Sequence, residues 1–309
     1  MGSLVEGNLL RGRYEVVRIQ YEDIGNTIYI AKDRMSLNTL TYIREIDLKV
    51  KTGKSLTLTG INNMVSILSL ISYKGIPKFI DFFSGVDTYY IIEEFIEGSF
   101  LEEVFNAKNE AFNFSETYNW MLTLCETIHY LHGLEKPVIV RGINPSTLKI
   151  TIRNEIKLVD FSMARFYDEK KDIDTLFVWN PGYTSPEQYG NQKSDVRSDI
   201  YGFGATFYRL LTKQDIGIFN FNFPPASNFN PSITKEQSNF LARCLEKDPQ
   251  NRFQSAFAVK NALRELDPFK NKNAEQQNFA PLTQSPKKGF AGFIGSIFGK
   301  KDSETSYKI

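Results

Sequence analysis

The sequence is poor in the side chains that bind transition metals and form disulfides. It has only two cysteines and two histidines in 309 residues. Cys125 and Cys244 lie in separate apolar helical patterns without the paired spacing of zinc ligands, which predicts two buried thiols. His129 and His132 stand near the end of one predicted helix, where a packing role is expected. A zinc site and a disulfide framework are therefore not expected.

Long hydrophobic runs and an excess of one charge are also missing. No segment has 18 consecutive apolar residues, so no membrane-spanning helix is expected. The start of the sequence lacks the apolar core of a signal peptide. Lys plus Arg number 37 against 36 Asp plus Glu, so no overall positive field attracts nucleic acid. The chain is expected to be cytoplasmic and to bind no nucleic acid.

Aromatic residues are abundant, with 25 Phe and 15 Tyr, and they supply apolar surface for a sizeable core. Up to Gly98, β-branched and aromatic runs are separated by polar turns, a pattern typical of strands. The predicted strands lie at 13–19, 27–33 and 40–47, and a hairpin is predicted within 78–98. A helix is predicted at 62–72, where Met64, Ile67, Leu68 and Ile71 share one face.

After residue 100, apolar residues recur at helical spacing. This periodicity predicts helices at 114–134, 198–212, 234–248 and 255–266, with short strands within 148–159. A strand-rich part followed by a helix-rich part predicts a two-lobed α+β fold.

The composition changes again near the end of the sequence. Residues 267–288 are rich in Asn, Gln, Lys and Pro, which predicts a flexible linker, and 302–309 form a polar tail. Between them, segment 289–301 is amphipathic: its apolar residues Phe290, Phe293, Ile294, Ile297 and Phe298 share one helical face. Flanking lysines suit an anionic membrane surface or an acidic partner groove. Docking on the chain's own domain and an idle tail are the alternatives.

Seven stretches together resemble a known family. In chain order they are GRYEVVR, GIPKFIDFF, YYIIEEFIEG, KLVDFSMAR, GYTSPEQYG, SDIYGFGATFYRLLT and CLEKDPQNRFQSA. Their order and spacing are similar to those of the bacterial eukaryotic-like (Hanks-type) Ser/Thr protein kinases, over residues 12–266. The resemblance implies a small strand-rich N-lobe at 12–98 with one main helix, and a larger helical C-lobe at 99–266.

The positions that hold such a domain together match the family. Glu187 and Arg252 match two residues that form an ion pair, and Asp199 matches the carboxylate that braces the catalytic-loop backbone. Arg141 occupies the middle position of the family motif H-R-D. It is expected either to grip an acidic or phosphorylated activation segment or to form a fixed internal salt bridge.

Most positions that carry the chemistry differ from the family. The catalytic Asp aligns with Gly142 and the metal-binding Asn with Thr147, in the stretch IVRGINPSTLKI. The Lys of the third family strand aligns with Arg44, and its Glu partner aligns with Met64. Asp160 alone persists from the metal-binding set, and a single carboxylate is a weak magnesium site.

The positions that would surround a nucleotide differ as well. The Gly-rich phosphate loop of the family aligns with Tyr21, Asp23, Asn26 and Ile28. Without glycines the backbone cannot approach phosphate closely, and a carboxylate there repels it. Tyr42 replaces a small residue beside the adenine, and Lys149 replaces an apolar residue beneath it. These two side chains are expected to occlude the pocket.

The losses are concerted, whereas the bracing positions persist. The sequence therefore predicts a pseudokinase: a non-catalytic scaffold or allosteric regulator in intracellular signalling that binds an unidentified protein partner and needs no cofactor. A weak or atypical Ser/Thr kinase, or an ATP-binding sensor, is the alternative; it would use ATP and magnesium through Asp160 and Arg44. The tail would allow a peripheral location at the inner face of the membrane.

Overall fold

The computed structural model describes residues 2–50, 57–170, 180–189 and 193–270. These residues form two compact units, one of residues up to 96 together with 161–165, the other of 97–160 together with residues from 166 onward. Part of the activation segment (171–179), most of the predicted linker, the amphipathic segment and the polar tail lie outside the described residues. The five apolar residues predicted to mediate tail interactions lie outside them too: Phe290, Phe293, Ile294, Ile297 and Phe298.

The first unit is built on an antiparallel six-stranded sheet. Its elements are β1 (Leu9–Leu10), β2 (Tyr14–Asp23), β3 (Asn26–Asp33), β4 (Thr39–Asp47), α1 (Leu58–Leu70), β5 (Phe79–Ser84) and β6 (Thr88–Glu94). The strand order is β1-β2-β3-β4-β6-β5. The strands predicted from the alternating pattern are confirmed, as is the hairpin that places β5 beside β6.

Helix α1 begins four residues before its predicted start. Thr57 explains the earlier start, because its hydroxyl accepts a hydrogen bond from the Gly60 amide at 3.1 Å and caps the first turn. The buried face consists of Ile61, Met64, Ile67 and Leu68. Three members of the predicted apolar face are therefore confirmed and Ile61 joins them, whereas Ile71 is the extended C-cap residue that follows the helix.

One face of the sheet has its own hydrophobic cluster, formed by Tyr14, Val16, Tyr29, Ala31, Ile43 and Ile92. Leu4 and Leu10 pack against it. The Ser3 amide donates a 2.8 Å hydrogen bond to the buried Glu45 carboxylate, which also accepts one from the Tyr29 hydroxyl at 2.8 Å. Residues 2–10, which the predicted boundary at residue 12 leaves outside the domain, are thus part of this unit.

The second unit is mainly helical. It contains β7 (Gly98–Phe100), α2 (Leu101–Ala107), α3 (Phe114–His132), β8 (Val138–Ile139), β9 (Leu148–Thr151) and β10 (Ile156–Leu158). The short strand β11 (Arg165–Phe166) follows where the chain passes between the units, and then come α4 (Pro186–Tyr189), α5 (Val196–Thr212), α6 (Lys235–Cys244) and α7 (Ala256–Glu265). Strands β10, β9 and β7 form a small antiparallel sheet.

The predicted helices of this unit are confirmed with shifted ends. Helix α3 begins one residue after Asn113, because Asn113 and Glu116 form a capping box. Helix α6 ends at Cys244 rather than 248, since the Leu245 amide already bonds back to Leu241 and Ala242. Residues 267–270, placed in the linker by the sequence interpretation, form a turn in which Phe269 packs against Tyr118.

The strand-rich unit followed by the helix-rich unit confirms the α+β fold predicted from the sequence. Among the described residues, no helix combines the length and the apolar character needed to cross a membrane.

Candidate functional site

The loop after β8 is fastened to helix α5 by one buried carboxylate. Asp199 accepts hydrogen bonds from the Val140 amide at 2.9 Å and from the Arg141 amide at 2.8 Å. The His132 Nε2 atom lies 2.8 Å from the same carboxylate, and the Asp199 side chain is fully buried. Arg141 takes a left-handed backbone conformation with φ 59°. A non-glycine residue rarely adopts this conformation unless its surroundings hold it there.

Within this loop, polar side chains bond to the loop's own backbone. The Thr147 hydroxyl accepts a hydrogen bond from the Asn144 amide at 3.1 Å and lies 2.8 Å from the Gly142 carbonyl oxygen. The Asn144 side chain donates to the same carbonyl at 3.0 Å and accepts from the Ser146 amide at 2.9 Å. The structure therefore brings Gly142 and Thr147 together as parts of a closed, self-bonded turn.

This arrangement limits what the loop can do chemically. A general base needs a titratable side chain within hydrogen-bond reach of the proton that it removes, and Gly142 has none. Thr147 is buried and its hydroxyl already has partners in the turn. The loop thus presents fixed backbone rather than a reactive group at these two positions.

Glu187 and Arg252 form a buried ion pair with two hydrogen bonds of 2.8 Å. The Ser198 hydroxyl donates a further 2.7 Å hydrogen bond to Glu187. Burial raises the pKa of Glu187, but the hydrogen bonds and charge of Arg252, together with the Ser198 hydroxyl, outweigh it and hold that pKa below its usual value. The carboxyl is therefore ionised at neutral pH and links α4, α5 and the residues before α7.

In the first unit, Arg44 and Met64 lie on different elements. Arg44 is half-buried in β4, where its backbone neighbours are Ile28 of β3 and Ile91 of β6. Met64 is 2% exposed on the apolar face of α1. A thioether carries no charge, so α1 offers Arg44 no carboxylate at position 64.

The hairpin of β2 and β3 occupies the place expected of a phosphate-binding loop. The strands pair up to Asp23 and Asn26, so that Ile24 and Gly25 alone make the turn. Gly25 has φ +76°, which suits such a tight turn. The Asp23 carboxylate accepts a 2.7 Å hydrogen bond from the Ile24 amide, and the Tyr21 hydroxyl donates to it at 3.3 Å. An exposed carboxylate at this tip is unfavourable for phosphate.

Tyr42 and Lys149 are each held by neighbours in their own unit. The Tyr42 ring lies 4.9 Å from the Phe95 ring, and its hydroxyl lies 3.4 Å from the Ile96 carbonyl oxygen. Lys149 is 4% exposed in β9, and its ammonium group lies 5.2 Å from the centre of the Phe100 ring. Such a cation–π contact stabilises a charge that is removed from water.

Asp160 follows β10 and is half-buried. Over the described part of the chain, no group of three or more His, Cys, Asp or Glu side chains could hold a metal ion. Magnesium requires near-octahedral oxygen ligation, in which carboxylates usually act together with phosphate oxygens. Of the two aligned metal positions, Asp160 keeps a carboxylate, but the Thr147 hydroxyl bonds within the loop, so this donor set does not fit a nucleotide-bound magnesium ion.

Two residues that hold the braced loop in place, His132 and Asn144, were not identified from the sequence. His132 was expected only to pack, and nothing in its sequence neighbourhood indicates the contact with Asp199, which lies 67 positions away. Asn144 was recognisable in principle, since Asn followed by Pro is typical of the start of a helical turn. It caps the 3-10 turn Pro145–Thr147 that positions Thr147.

Comparisons with known proteins bear on this site. Residues 43–264 match the protein kinase domain family. A probable serine/threonine-protein kinase of Clostridium perfringens is 24% identical over 91% of this chain and 43% of its own length. The serine/threonine-protein kinase PrkC of Bacillus subtilis is 25% identical over 81% of this chain and 40% of its own length. The chain thus spans less than half the length of these relatives.

The family match covers well over half of the sequence and includes the braced loop, the buried ion pair, most of the second unit and the part of the first unit from Ile43 onward. Six of the seven stretches that carry the resemblance lie within these matched residues. The chain belongs to the protein kinase domain family.

Proposed function

We propose that this chain is a pseudokinase that acts as a non-catalytic, protein-binding scaffold or allosteric regulator. The observation that carries the proposal is the loop 140–147. Its backbone is braced by Asp199, but its aligned chemical positions are Gly142 and Thr147, and Thr147 is bonded to the loop itself. In this proposal the chain keeps the braced loop of a kinase domain but lacks the side chains that would act as base and metal ligand.

Physical chemistry supports this interpretation. Phosphoryl transfer depends on positioning and on electrostatic stabilisation, because the protein makes few covalent changes itself. In this chain the base position has no side chain, position 64 is a buried methionine, and the turn between β2 and β3 carries a carboxylate. Each of these differences removes a separate contribution to phosphoryl transfer, so a single substitution cannot restore the activity.

The buried ion pair and the braced loop have a different significance. Removing one partner of a buried, hydrogen-bonded pair leaves an uncompensated charge. Glu187, Arg252 and Asp199 therefore matter for folding whether or not the chain transfers phosphate. A stable surface for a protein partner is the use that these residues still support, and neither ATP nor magnesium is required for it.

The rival proposal is a weak or atypical Ser/Thr kinase, or an ATP sensor. The relatives named as serine/threonine-protein kinases favour it, as do the cationic Arg44 and the carboxylate Asp160. The two proposals differ in what they expect of ATP. The kinase needs turnover, the sensor needs binding without turnover, and the scaffold needs neither.

The deciding experiment incubates the purified chain with γ-labelled ATP, Mg²⁺ or Mn²⁺ and generic protein substrates. We expect no labelling above a protein-free blank. Labelling that disappears in Asp160→Asn but persists in the matched control Asp168→Asn would establish the kinase instead. Asp168 is a suitable control because it lies beyond β11 on the same segment.

A thermal unfolding series with and without ATP and metal separates the sensor from the scaffold. A ligand present at 100 times its dissociation constant adds about 2.7 kcal/mol to the free energy of unfolding. We expect no such shift at low-millimolar ATP. Tyr42→Ala combined with Lys149→Leu restores the residue types that the family places beside adenine, so a shift gained only in that variant would support occlusion as the cause.

A further inference from the structure

A cluster of aromatic side chains reaches the surface of the second unit between α5 and α6. Residues 213–234 form only two short 3-10 turns, Ile216–Phe219 and Ala226–Asn228. The outer part of this cluster is here called the aromatic surface; it consists of the exposed Ile218 and Phe229 and the half-buried Phe219, Phe221 and Phe223. Phe219, Phe223 and Phe229 form a connected set of rings, and Phe221 contacts the Tyr189 ring.

The aromatic surface grows out of the buried core. Tyr208, on α5, is buried, and its ring lies 5.9 Å from Phe219 and 5.1 Å from Phe223. Phe219 in turn lies 6.0 Å from Phe229. Aromatic rings at such separations attract one another and hold a fixed arrangement. The outer rings therefore have a rigid base.

Two outer members are substantially open to solvent. Ile218 is 70% exposed and Phe229 is 37% exposed. Phe221 lies 5.4 Å from the Tyr189 ring, and it is held there by an unusual backbone, since Asn220 and Phe221 have φ values of 45° and 64°. A left-handed conformation at a bulky residue costs free energy, and such strain persists where the surroundings impose it.

The chemistry of the aromatic surface specifies an apolar and uncharged occupant. Residues 216–233 contain no Asp, Glu, Lys, Arg or His, although charged residues make up 24% of the whole sequence. The nearest charged residue in the sequence is Asp215, whose carboxylate already caps the turn Ile216–Phe219 by accepting a 3.1 Å hydrogen bond from the Gly217 amide. A ligand for this surface must therefore bind through apolar side chains.

One segment of the chain has this composition. Residues 289–299, GFAGFIGSIFG, also contain no charged side chain and place five large apolar residues at helical spacing. The lysines that flank this segment, at 287, 288, 300 and 301, would lie beyond an uncharged contact. The segment and the aromatic surface thus match in charge and in apolar character.

The last described residues are connected to the aromatic surface through a series of contacts. The Phe269 ring is 6.1 Å from Tyr118, which is 6.3 Å from Phe114. The preceding residue, Asn113, accepts a 3.3 Å hydrogen bond from the Ser232 hydroxyl. Beside it, the Asn230 side chain donates to the Phe112 carbonyl at 3.3 Å, and Asn230 follows Phe229 directly. A short series of contacts therefore connects the exit of the chain with Phe229.

The chain beyond residue 270 is long enough to return to this surface. Nineteen residues, 271–289, separate Lys270 from Phe290. A flexible chain of that length has a root-mean-square span of about 25 Å and a fully extended reach of about 65–70 Å. The extended reach exceeds the length of the contact series between Phe269 and Phe229, in which no contact is longer than 6.3 Å. A short tether also gives the segment a high effective concentration at this surface.

We propose that segment 289–299 docks in cis on the aromatic surface formed by Ile218, Phe219, Phe221, Phe223 and Phe229. The apolar face of the segment packs on Ile218, on Phe229 and on the half-buried rings beside them, and the flanking lysines stay in water. A partner that displaces the segment would gain access to the aromatic surface. The inference does not depend on whether the chain binds nucleotide or transfers phosphate.

Site-specific photocrosslinking of the full chain tests this contact. A variant with Phe229→p-benzoylphenylalanine is irradiated and digested, and the crosslinked peptides are identified by mass spectrometry. We expect a crosslink to a peptide from 289–299 within a monomer, at a yield that does not change on tenfold dilution. The matched control is Phe257→p-benzoylphenylalanine on α7, because Phe257 is similarly exposed at 49% but lies outside the aromatic surface. That control should give at most a tenth of the yield.

A second variant links the crosslink to the proposed face. Phe293→Ser with Ile297→Ser removes apolar groups from the segment without touching the folded units, and should lower the crosslink yield at least fivefold. No crosslink from position 229 to 289–299 would overturn the proposal. A crosslink found only in dimers, or one whose yield falls with dilution, would assign the segment to a second copy and overturn docking in cis. Sedimentation of the full chain with anionic liposomes while the monomer crosslink is absent would assign the segment to membranes.

Discussion

The guanidinium of Arg252 donates two hydrogen bonds of 2.8 Å to the carboxylate of Glu187, and both side chains are almost completely buried. The remaining donors of Arg252 bond to the carbonyl oxygens of Glu246 at 2.7 Å, Arg197 at 3.0 Å and Lys247 at 3.1 Å. One side chain therefore ties α4, the start of α5 and the turn after α6 together. Its five N–H groups are matched to acceptors, which is the condition under which a buried charge is tolerated.

Loss of Arg252 should destabilise the chain strongly. We expect Arg252→Met to lower the free energy of unfolding by about 3–5 kcal/mol, because it leaves the Glu187 carboxylate buried without a partner. Urea unfolding followed by circular dichroism measures the change. The matched control is Arg264→Met, which removes an exposed pair with Glu126 at 3.7 Å and should cost less than about 1 kcal/mol.

The double variant Glu187→Gln with Arg252→Met refines this prediction. If the cost comes from a stranded charge, the double variant should be less destabilised than the sum of the single variants. Equal costs for Arg252→Met and Arg264→Met, or simple additivity of the pair, would contradict the stabilising role assigned to the ion pair.

Thr147 should matter for stability rather than for chemistry. Thr147→Val keeps the shape of the side chain but removes the acceptor of the Asn144 amide, which is buried. We expect a loss of about 1–3 kcal/mol in the free energy of unfolding. Thr59→Val is the matched control, since Thr59 is exposed on α1 and the same change there should cost no more than about 0.5 kcal/mol. A neutral Thr147→Val would show that the hydroxyl does not close the loop.

The elements with a strong local pattern could be predicted from the sequence. Strand β4, for example, alternates buried and half-buried positions from Thr41 to Glu45, and the face Met64, Ile67, Leu68 of α1 shows helical spacing. The ends of the helices were harder to predict, because they depend on single hydrogen bonds. Thr57 starts α1 early through one cap, and Leu245 ends α6 early through its own amide.

The candidate site could be predicted only in part from the sequence, because many of its contacts join residues that are far apart in the chain. Glu187 and Arg252 could be paired by resemblance, although 65 positions separate them. The contact of His132 with Asp199, and the packing of Ser3 on Glu45, depend on how distant elements meet. No local periodicity encodes such contacts. The aromatic surface was missed because isolated Phe residues between helices show no period.

Gly98 should not tolerate a side chain. A Cβ atom at Gly98 would lie 2.1 Å from the Ile150 carbonyl oxygen and 2.8 Å from the Thr151 Cα atom, and its φ is +157°. Both of these atoms belong to the backbone of β9, which pairs directly with β7, so they cannot move aside as a flexible side chain could. We expect Gly98→Ala to cost at least about 2 kcal/mol of stability.

Gly85 provides the matched control for Gly98. It lies in the turn between β5 and β6, and the nearest atom to its Cβ would be 3.5 Å away. Gly85→Ala should therefore be neutral or stabilise the chain by about 0.4–1 kcal/mol. Similar unfolding midpoints for the two alanine variants would show that β7 and β9 can separate to accept a Cβ atom.

The pKa of Glu187 predicts how stability depends on acid. Burial raises this pKa, but Arg252 and Ser198 lower it more, so the folded state holds the carboxyl ionised below its usual pKa. The unfolded chain therefore takes up its proton first as the pH falls. The contribution to stability is complete above the usual glutamate pKa of about 4.3 and is lost as the pH falls through the lower folded value.

Unfolding free energies of the original chain and of Glu187→Gln should be compared from pH 7 to pH 3. Glu187→Gln is less stable at pH 7, but its stability should fall less steeply below about pH 4.3, because one proton fewer is taken up on unfolding. Other carboxyls contribute equally to both chains and cancel in the difference. The two curves should therefore converge as the pH decreases. Parallel curves over this range would mean that Glu187 has the same pKa in both states, contrary to its buried pairing with Arg252.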